Sequence, residues 1–459
     1  MDGTWYQMTS YAPGLFPATK ETGMHKFLSL RFCVALAVLA IVFAASLHSP
    51  ARAAYVAEVA GAGSAELSIA LADPLGSAPG APGLHKYIRH NLSILPIANV
   101  LEPSAIPGGS TVGTASGEGI DFKKFIMAGT NILITTYWSD PSQVELRVFT
   151  AESGKFLFGN RYQVGSGDNA LHDVADKFCG DLLEAIIGKG DFFRSTMAFI
   201  KIAGPRQRDV WAVKPNGRGL RQLTKITGEA LSPSWSPDGR YVVFTHIDHR
   251  SHALGVWDAA TGSTNRIRFP GNTVIGPSYM PDNRIAVSLT DGRNPSIFLL
   301  NHAFQKERKL DNSSSIDVSP SVDASGSKMA FASNRLGGPQ IFVKDLHSGQ
   351  TSRVSMSGSY NTDPSISPDG TMVAFARQVG AGQHRIVVHD LLTGREYQIS
   401  NGPGSDEEPA FAPDGFFVAF SSTRGGSKQI YLTTRVGGKA TRLPTGSGDA
   451  SFPAWGAAR

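Results

Sequence analysis

Six prolines, Pro233, Pro277, Pro320, Pro364, Pro409 and Pro453, follow one another at intervals of 43 to 45 residues. A fixed period of roughly 40–50 residues marks a repeat architecture, and it limits the chain from residue 196 onward to a propeller or a solenoid. Five complete units begin at Ser232 (SPSWSPDGRYVVF), Gly276 (GPSYMPDNRIAVS), Ser319 (SPSVDASGSKMAF), Asp363 (DPSISPDGTMVAF) and Glu408 (EPAFAPDGFFVAF). Each reads as four short strands. The first takes the residues just after the proline. A tight turn follows, Ser236-Pro237-Asp238-Gly239 in the first unit. There Pro presets φ, Asp bonds back to the backbone and Gly accepts positive φ. An apolar second strand (Tyr241 to Thr245), a third like Gln340 to Leu346, a turn like Ser348-Gly349 and a fourth strand like Thr351 to Ser355 complete the unit. Four antiparallel strands per period define a propeller blade.

A sixth unit is split. Its first strand is Phe452-Pro453-Ala454-Trp455, and the others lie at Met197 to Ile202, Asp209 to Lys214 and Leu220 to Thr224. The expected fold is therefore a six-bladed all-β propeller over residues 191–459, closed by pairing of the C-terminal strand with N-terminal ones. Closure removes exposed sheet edges. A linear solenoid would leave the split unit unpaired.

Residues 54–190 read as a small α/β domain. Strand-like runs occur at Glu66 to Leu71, Ile132 to Trp138, Val144 to Thr150 and Lys155 to Val164, the last three as an antiparallel meander. Apolar residues at helical spacing predict helices over 84–95 and 170–187, the second stopped by Gly188. Residues 102–119 read as poorly structured. Cys179 lies beside the apolar face of the second helix, where a buried structural thiol is expected. With Cys33 as the only other cysteine, neither a disulfide framework nor a zinc cluster can be built.

Phe32 to Leu47 is a 16-residue apolar run preceded by His25, Lys26 and Arg31 and followed by Ala51-Arg52-Ala53. That reads as a secretory signal peptide, 24–53, with cleavage expected between Ala53 and Ala54. The run is short of the ~20 residues of a membrane span. Residues 1–23 precede a more sensible start at Met24 and read as a non-native or disordered leader. Export without a second apolar segment points to the periplasm. The net charge of +5 is too slight to signal nucleic-acid binding. No phosphate-binding glycine loop occurs.

The units with Ser-Pro-Asp-Gly, the Ser333-Asn334-Arg335 and Ser422-Thr423-Arg424 tripeptides, the ending Phe452-Pro453-Ala454-Trp455, and above all His172 to Ile200 (HDVADKFCGDLLEAIIGKGDFFRSTMAFI) resemble the TolB family of the Tol-Pal system. The resemblance covers about residues 120–459, and more weakly from 84. It implies a periplasmic, non-enzymatic adaptor without cofactor. Its propeller would bind the peptidoglycan-associated lipoprotein Pal and its mature N-terminus TolA, so that it meets membranes only through partners, and it would serve outer-membrane integrity and constriction at division. The chain departs from the family where residues 54–65 are Ala/Gly-rich instead of strand-like, and at the turn variants Pro281-Asp282-Asn283 and Ala324-Ser325-Gly326.

In the family, Pal meets the face where the chain crosses from blade to blade. Recognition is usually carried by such variable connections on a rigid scaffold. Here these connections contain Glu229, Thr273, Asp317, Asn361, Asp406 and Glu407, expected as a ring of loop residues with several acids at one mouth. His246, Asp248, His249 and His252 form the one cluster resembling a metal site, although a short loop rarely supplies tetrahedral closure. A propeller peptidase would need a G-x-S-x-G nucleophile, which the chain lacks. A propeller lyase or a glycan-binding propeller would show aromatics facing into its central channel.

Overall fold

The computed structural model describes residues 66–457, apart from 205, 250, 272, 291 and 292. The leader 1–23, the signal peptide 24–53 with its Ala53–Ala54 junction, and the Ala/Gly-rich 54–65 lie outside the described residues. Among the described residues no helix is long and apolar enough to cross a membrane.

The α/β region is a five-stranded sheet with two main helices. Strands β1 (Leu67–Leu71), β2 (Ala98–Val100), β3 (Ile132–Asp140), β4 (Gln143–Thr150) and β5 (Phe156–Gln163) run in the order β2-β1-β3-β4-β5. The meander β3-β4-β5 is antiparallel as expected, but β1 pairs in parallel with both β2 and β3. Helix α1 (Ala81–Ile94) has a proline in its first turn and buries Leu84, Ile88 and Leu92. A short α2 (Phe122–Met127), absent from the sequence reading, is capped by the Asp121 side chain. Helix α3 (Asp168–Ile187) ends at Gly188, whose φ of 73° supplies the left-handed cap. Cys179 is free and buried, and burial pushes its thiol well up. The stretch 102–119 is better ordered than its composition suggests: Ile106 and Val112 are buried in one cluster with Phe125, Leu133 and Phe149.

The remainder forms six blades. Blades III to VI are four-stranded sheets whose inner strands are Val274–Tyr279, Asp317–Val322, Asn361–Ile366 and Asp406–Phe411. Blade II has Glu229–Trp235 as its inner strand. Blade I is the split unit: Ala450–Trp455 pairs antiparallel with Met197–Gly204, joining the C-terminal strand to the start of the propeller. A single parallel bridge, Arg208 to Glu229, joins the sheets of blades I and II. Apolar cores lie between neighbouring blades, as where Val243 and Val256 of blade II meet Val274 and Val287 of blade III.

Each inner strand begins three or four residues before its proline, not after it, and is bulged there. The residue preceding each proline is left-handed: Ser232 (48°), Gly276 (55°), Ser319 (55°), Asp363 (53°), Glu408 (56°) and Phe452 (51°). The ladder to the second strand shifts register across each of these positions. A bulge sets two residues against one and re-aims the side chains around it.

Antiparallel alternation places the second-to-third-strand hairpins and the blade-to-blade crossings at one end of the sheets, the crossover face. The first-to-second and third-to-fourth turns lie at the other end, the turn face. The α/β region sits on the turn face at blades I and VI. His90 of α1 bonds the carbonyl of Asn216, in the third-to-fourth turn of blade I, at 2.9 Å, and Thr441 of blade VI donates to the carbonyl of Ile94. Phe192, in the connection after α3, packs on Phe417 of blade VI and Trp455 of blade I, at 4.9 and 5.5 Å between ring centres. The crossover face is thereby left uncovered by the rest of the described chain.

Candidate protein-binding face

The six expected recognition residues occupy the crossover face, but three of them are not on its surface. Asp317, Asn361 and Asp406 are fully buried. Asp317 accepts from Ser313 Oγ at 2.8 Å and from Arg335 at 3.1 Å. Asn361 takes a bond from Arg377 Nε at 3.0 Å and donates to Gln340 at 3.0 Å. Asp406 accepts from Arg424 at 2.9 Å, with Arg385 at 3.7 Å. These arginines are held from the other side by rings. Arg335 lies 5.1 and 4.7 Å from Phe331 and Phe342, Arg377 5.4 Å from Phe375, and Arg424 5.1 and 4.9 Å from Phe420 and Tyr431. The Ser-Asn-Arg and Ser-Thr-Arg tripeptides thus supply internal clamps of blades IV and VI, in which a buried carboxylate and two aromatic faces share one guanidinium.

The other three expected residues are half-buried. Glu229 pairs with Arg208 at 3.0 Å. Thr273 precedes the inner strand of blade III. Glu407 meets Lys428 at 2.9 Å and Ser405 Oγ at 2.9 Å; burial opposes its ionisation, but Lys428 outweighs it and holds the carboxyl below its ordinary range. The expected ring of accessible acids is therefore corrected to a set of acids that largely neutralise cations of their own blades. The expectation treats adjacent residues as equivalent, whereas alternate residues of a strand face opposite ways. Four positions before the repeat proline, one before the buried Ala230, Val274, Asp317 and Asn361, the outward set includes Glu229, Thr273, Ile316 and Tyr360.

The outward positions carry an apolar run that the sequence reading missed. Ile316 (38% exposed), Leu336 (59%), Met356 (58%), Tyr360 (42%) and Val379 (49%) belong to the hairpins and crossings of blades IV and V. The segments that carry Ile316, Leu336, Tyr360 and Val379 adjoin one another. The Ile316 amide bonds Asn334 at 2.8 Å, Gly338 abuts the Ser359 carbonyl so closely that a Cβ there would lie 2.6 Å from it, and the Gln378 amide bonds the Tyr360 carbonyl at 3.0 Å. A usable signal was present: Leu336-Gly337-Gly338 and Val379-Gly380-Ala381-Gly382 set lone apolar residues at the tips of glycine-rich hairpins.

The histidine cluster is dispersed. His246 lies inside the strand Tyr241–Ile247, and its Nε2 is 2.9 Å from the Thr227 carbonyl; burial holds its imidazole below the ordinary range. Asp248 accepts from the Ser251 amide at 2.9 Å and pairs with Arg266. His252 opens the next strand, His252–Asp258, and His249 is exposed between them. Among the described residues no three His, Cys, Asp or Glu side chains are grouped to hold a metal ion.

Residues of all six inner strands line a central cavity of about 440 Å³, including Trp235, Tyr279, Phe411 and Trp455. Two of these rings also serve packing: Trp235 meets Trp257 edge to face, and Trp455 lies on Phe192 and donates to the Ala410 carbonyl at 3.3 Å.

These features define a two-part protein: an α/β region seated on the turn face of a six-bladed propeller. Residues 183–459 match the family described as the TolB beta propeller domain. The Tol-Pal system protein TolB of Nitratidesulfovibrio vulgaris is 53% identical over 319 residues, 67% of this chain and 72% of that protein. The protein TolB homolog of Chlorobium chlorochromatii is 31% identical over 251 residues, 54% of this chain and 56% of that one. The chain belongs to the TolB family. The crystal structure of TolB from Acinetobacter baumannii has the same fold, with a TM-score of 0.71 over 85% of this chain and 96% of that one at 19% identity.

Proposed function

We propose that this chain is a periplasmic, non-enzymatic adaptor of the Tol-Pal system. It is exported by residues 24–53 and organised as an α/β domain, 54–190, and a propeller, 191–459. Its crossover face binds a Pal-like peptidoglycan-associated lipoprotein, and its mature N-terminal segment engages TolA, so that the outer membrane is held to the cell wall and drawn in at division. Membership of the TolB family supports this reading. The observation that carries it is the uncovered crossover face with its exposed apolar residues, Ile316, Leu336, Met356, Tyr360 and Val379, on the hairpins and crossings of two neighbouring blades. Apolar side chains clustered on one face mark interaction sites, and truncating a central apolar anchor typically costs a large part of binding.

The test is calorimetric titration of the full chain with the soluble domain of the same organism's peptidoglycan-associated lipoprotein. Saturable binding at micromolar or tighter affinity is expected. Leu336→Ala with Val379→Ala should weaken it about tenfold or more, the loss of one to two ordinary hot-spot contacts. A folded chain that shows no heat of binding overturns the reading.

A further inference from the structure

We propose that the partner surface recognised by the crossover face is an acidic one, with carboxylates flanking a protruding apolar side chain. This rests on the crossover face being the partner-binding face. The apolar run occupies blades IV and V. The connections of blades I to III on the same face are basic: Arg206 in the hairpin of blade I, Lys225 in the crossing to blade II, Arg268 in the crossing to blade III and Arg293 in the hairpin of blade III are all exposed.

Charge on a face counts only where it is not already neutralised within the molecule. Asp248, Asp317 and Asp406 are paired with Arg266, Arg335 and Arg424 of their own blades, and Glu229 with Arg208 of the blade before it. Asp449 is half-buried at the crossing into blade I, and Asp291 lies outside the described residues. The four exposed cations are thus left to act outward. Arg268 is only loosely engaged, 4.0 Å from an Asp248 that already holds Arg266. Such an arc steers an acidic partner, while the adjacent apolar run supplies the dehydrated centre that gives a protein interface its affinity. An anionic polymer would use the arc and leave the apolar run wet.

The test uses the full chain and two synthetic peptides sharing the same central Phe and Leu residues, one flanked by Asp and Glu and the other by Lys and Arg. Heparin serves as an anionic polymer without apolar groups, and the lipoprotein domain is titrated in parallel. Variants are the triple Arg206→Glu, Arg268→Glu, Arg293→Glu and the double Leu336→Ser, Val379→Ser, each with thermal unfolding confirmed. The acidic peptide should bind, weaken about tenfold between low and high salt as screening predicts, and lose about tenfold or more in either variant. Three results overturn the proposal: no binding of the acidic peptide, equal or tighter binding of the basic one, or heparin binding that outcompetes the peptide and ignores the Leu336→Ser, Val379→Ser change. A lipoprotein domain that fails to bind while the acidic peptide succeeds removes the adaptor reading and leaves the surface chemistry standing. Lipoprotein binding that is indifferent to salt and to the charge reversal does the opposite.

Discussion

The hydroxyl of Ser365 in blade V accepts a hydrogen bond of 3.1 Å from the backbone amide of Phe411 in blade VI. Ser234 does the same for Tyr279, and Ser321 for Ile366, each at 3.1 Å. In each case the serine directly follows the repeat proline. Neighbouring inner strands pack side by side in different sheets, so these amides have no ladder partner, and the serine of one blade satisfies the next. Ser365→Ala should leave the Phe411 amide unsatisfied and cost about 1–3 kcal/mol, the usual penalty for an orphaned buried donor. Denaturant unfolding with an unchanged m-value checks this, and a change below a few tenths of a kcal/mol would refute the stitch.

Asp317 and Leu336 lie on the same face and should respond in opposite ways. Asp317→Ala removes the buried carboxylate that holds Arg335. Arg335 keeps Asp311 at 2.5 Å, so the loss is moderated to about 1–3 kcal/mol rather than the ~3–5 of an isolated buried pair. Leu336→Ala should leave the melting temperature within a degree or so, as exposed substitutions do, yet weaken partner binding. Calorimetry of both variants, thermal and titrating, separates a structural acid from a recognition residue. Equal effects on both readouts would sink the distinction.

Asp176 of α3 is buried and accepts from Asn91 at 2.9 Å, Asn216 at 2.7 Å and Arg218 at 2.9 Å, with Lys214 at 3.4 Å. It ties α1 and α3 to the third-to-fourth turn of blade I. Asp176→Ala should cost about 1–3 kcal/mol, since both cations keep some solvent contact, and Asp176→Asn less, because it preserves one acceptor. Limited proteolysis at the α3-to-propeller connection should speed up in the alanine variant. Cleavage as slow as in the parent would argue against a tie between the two parts.

A Cβ on Gly180 would lie 2.9 Å from the Gly190 carbonyl oxygen, and one on Gly190 2.8 Å from that of Gly180. Helix α3 and the connection after it therefore touch backbone to backbone. Alanine at 180 would gain roughly 0.5–1 kcal/mol of helix propensity. Forcing the connection away should cost about 1–3 kcal/mol, and so a net loss of stability is expected. A higher melting temperature for Gly180→Ala would show that the connection yields freely.

Burial pushes the Asp363 carboxyl up to about 6, aided by the neighbouring Glu408 carboxylate. In the unfolded chain an aspartate titrates near about 3.9. Between those values the folded chain holds a proton that the unfolded chain has lost, so this group's contribution to stability falls as pH rises from about 3.9 to 6. Its side chain is half-buried, and solvent in the cavity moderates the effect. Asp363→Asn should raise the melting temperature at pH 7.5 and barely change it at pH 4. The same shift at both values would show that the carboxyl is not strained by its site.

What the sequence determined by itself is local or periodic. The proline period fixes the number of blades, the Pro-Asp-Gly turns mark the strand reversals, Gly188 stops α3, and the split unit anticipates the pairing of Ala450–Trp455 with Met197–Gly204, because turn chemistry and repetition are written in adjacent residues. Only the tertiary structure decided which of two neighbours, such as Ile316 and Asp317, meets solvent. A bulge before each proline shifts the register, a one-residue shift turns a side chain to the other face, and the arginine that holds each buried Asp or Asn lies 16 to 18 residues further along the chain, brought back by the blade's own hairpin.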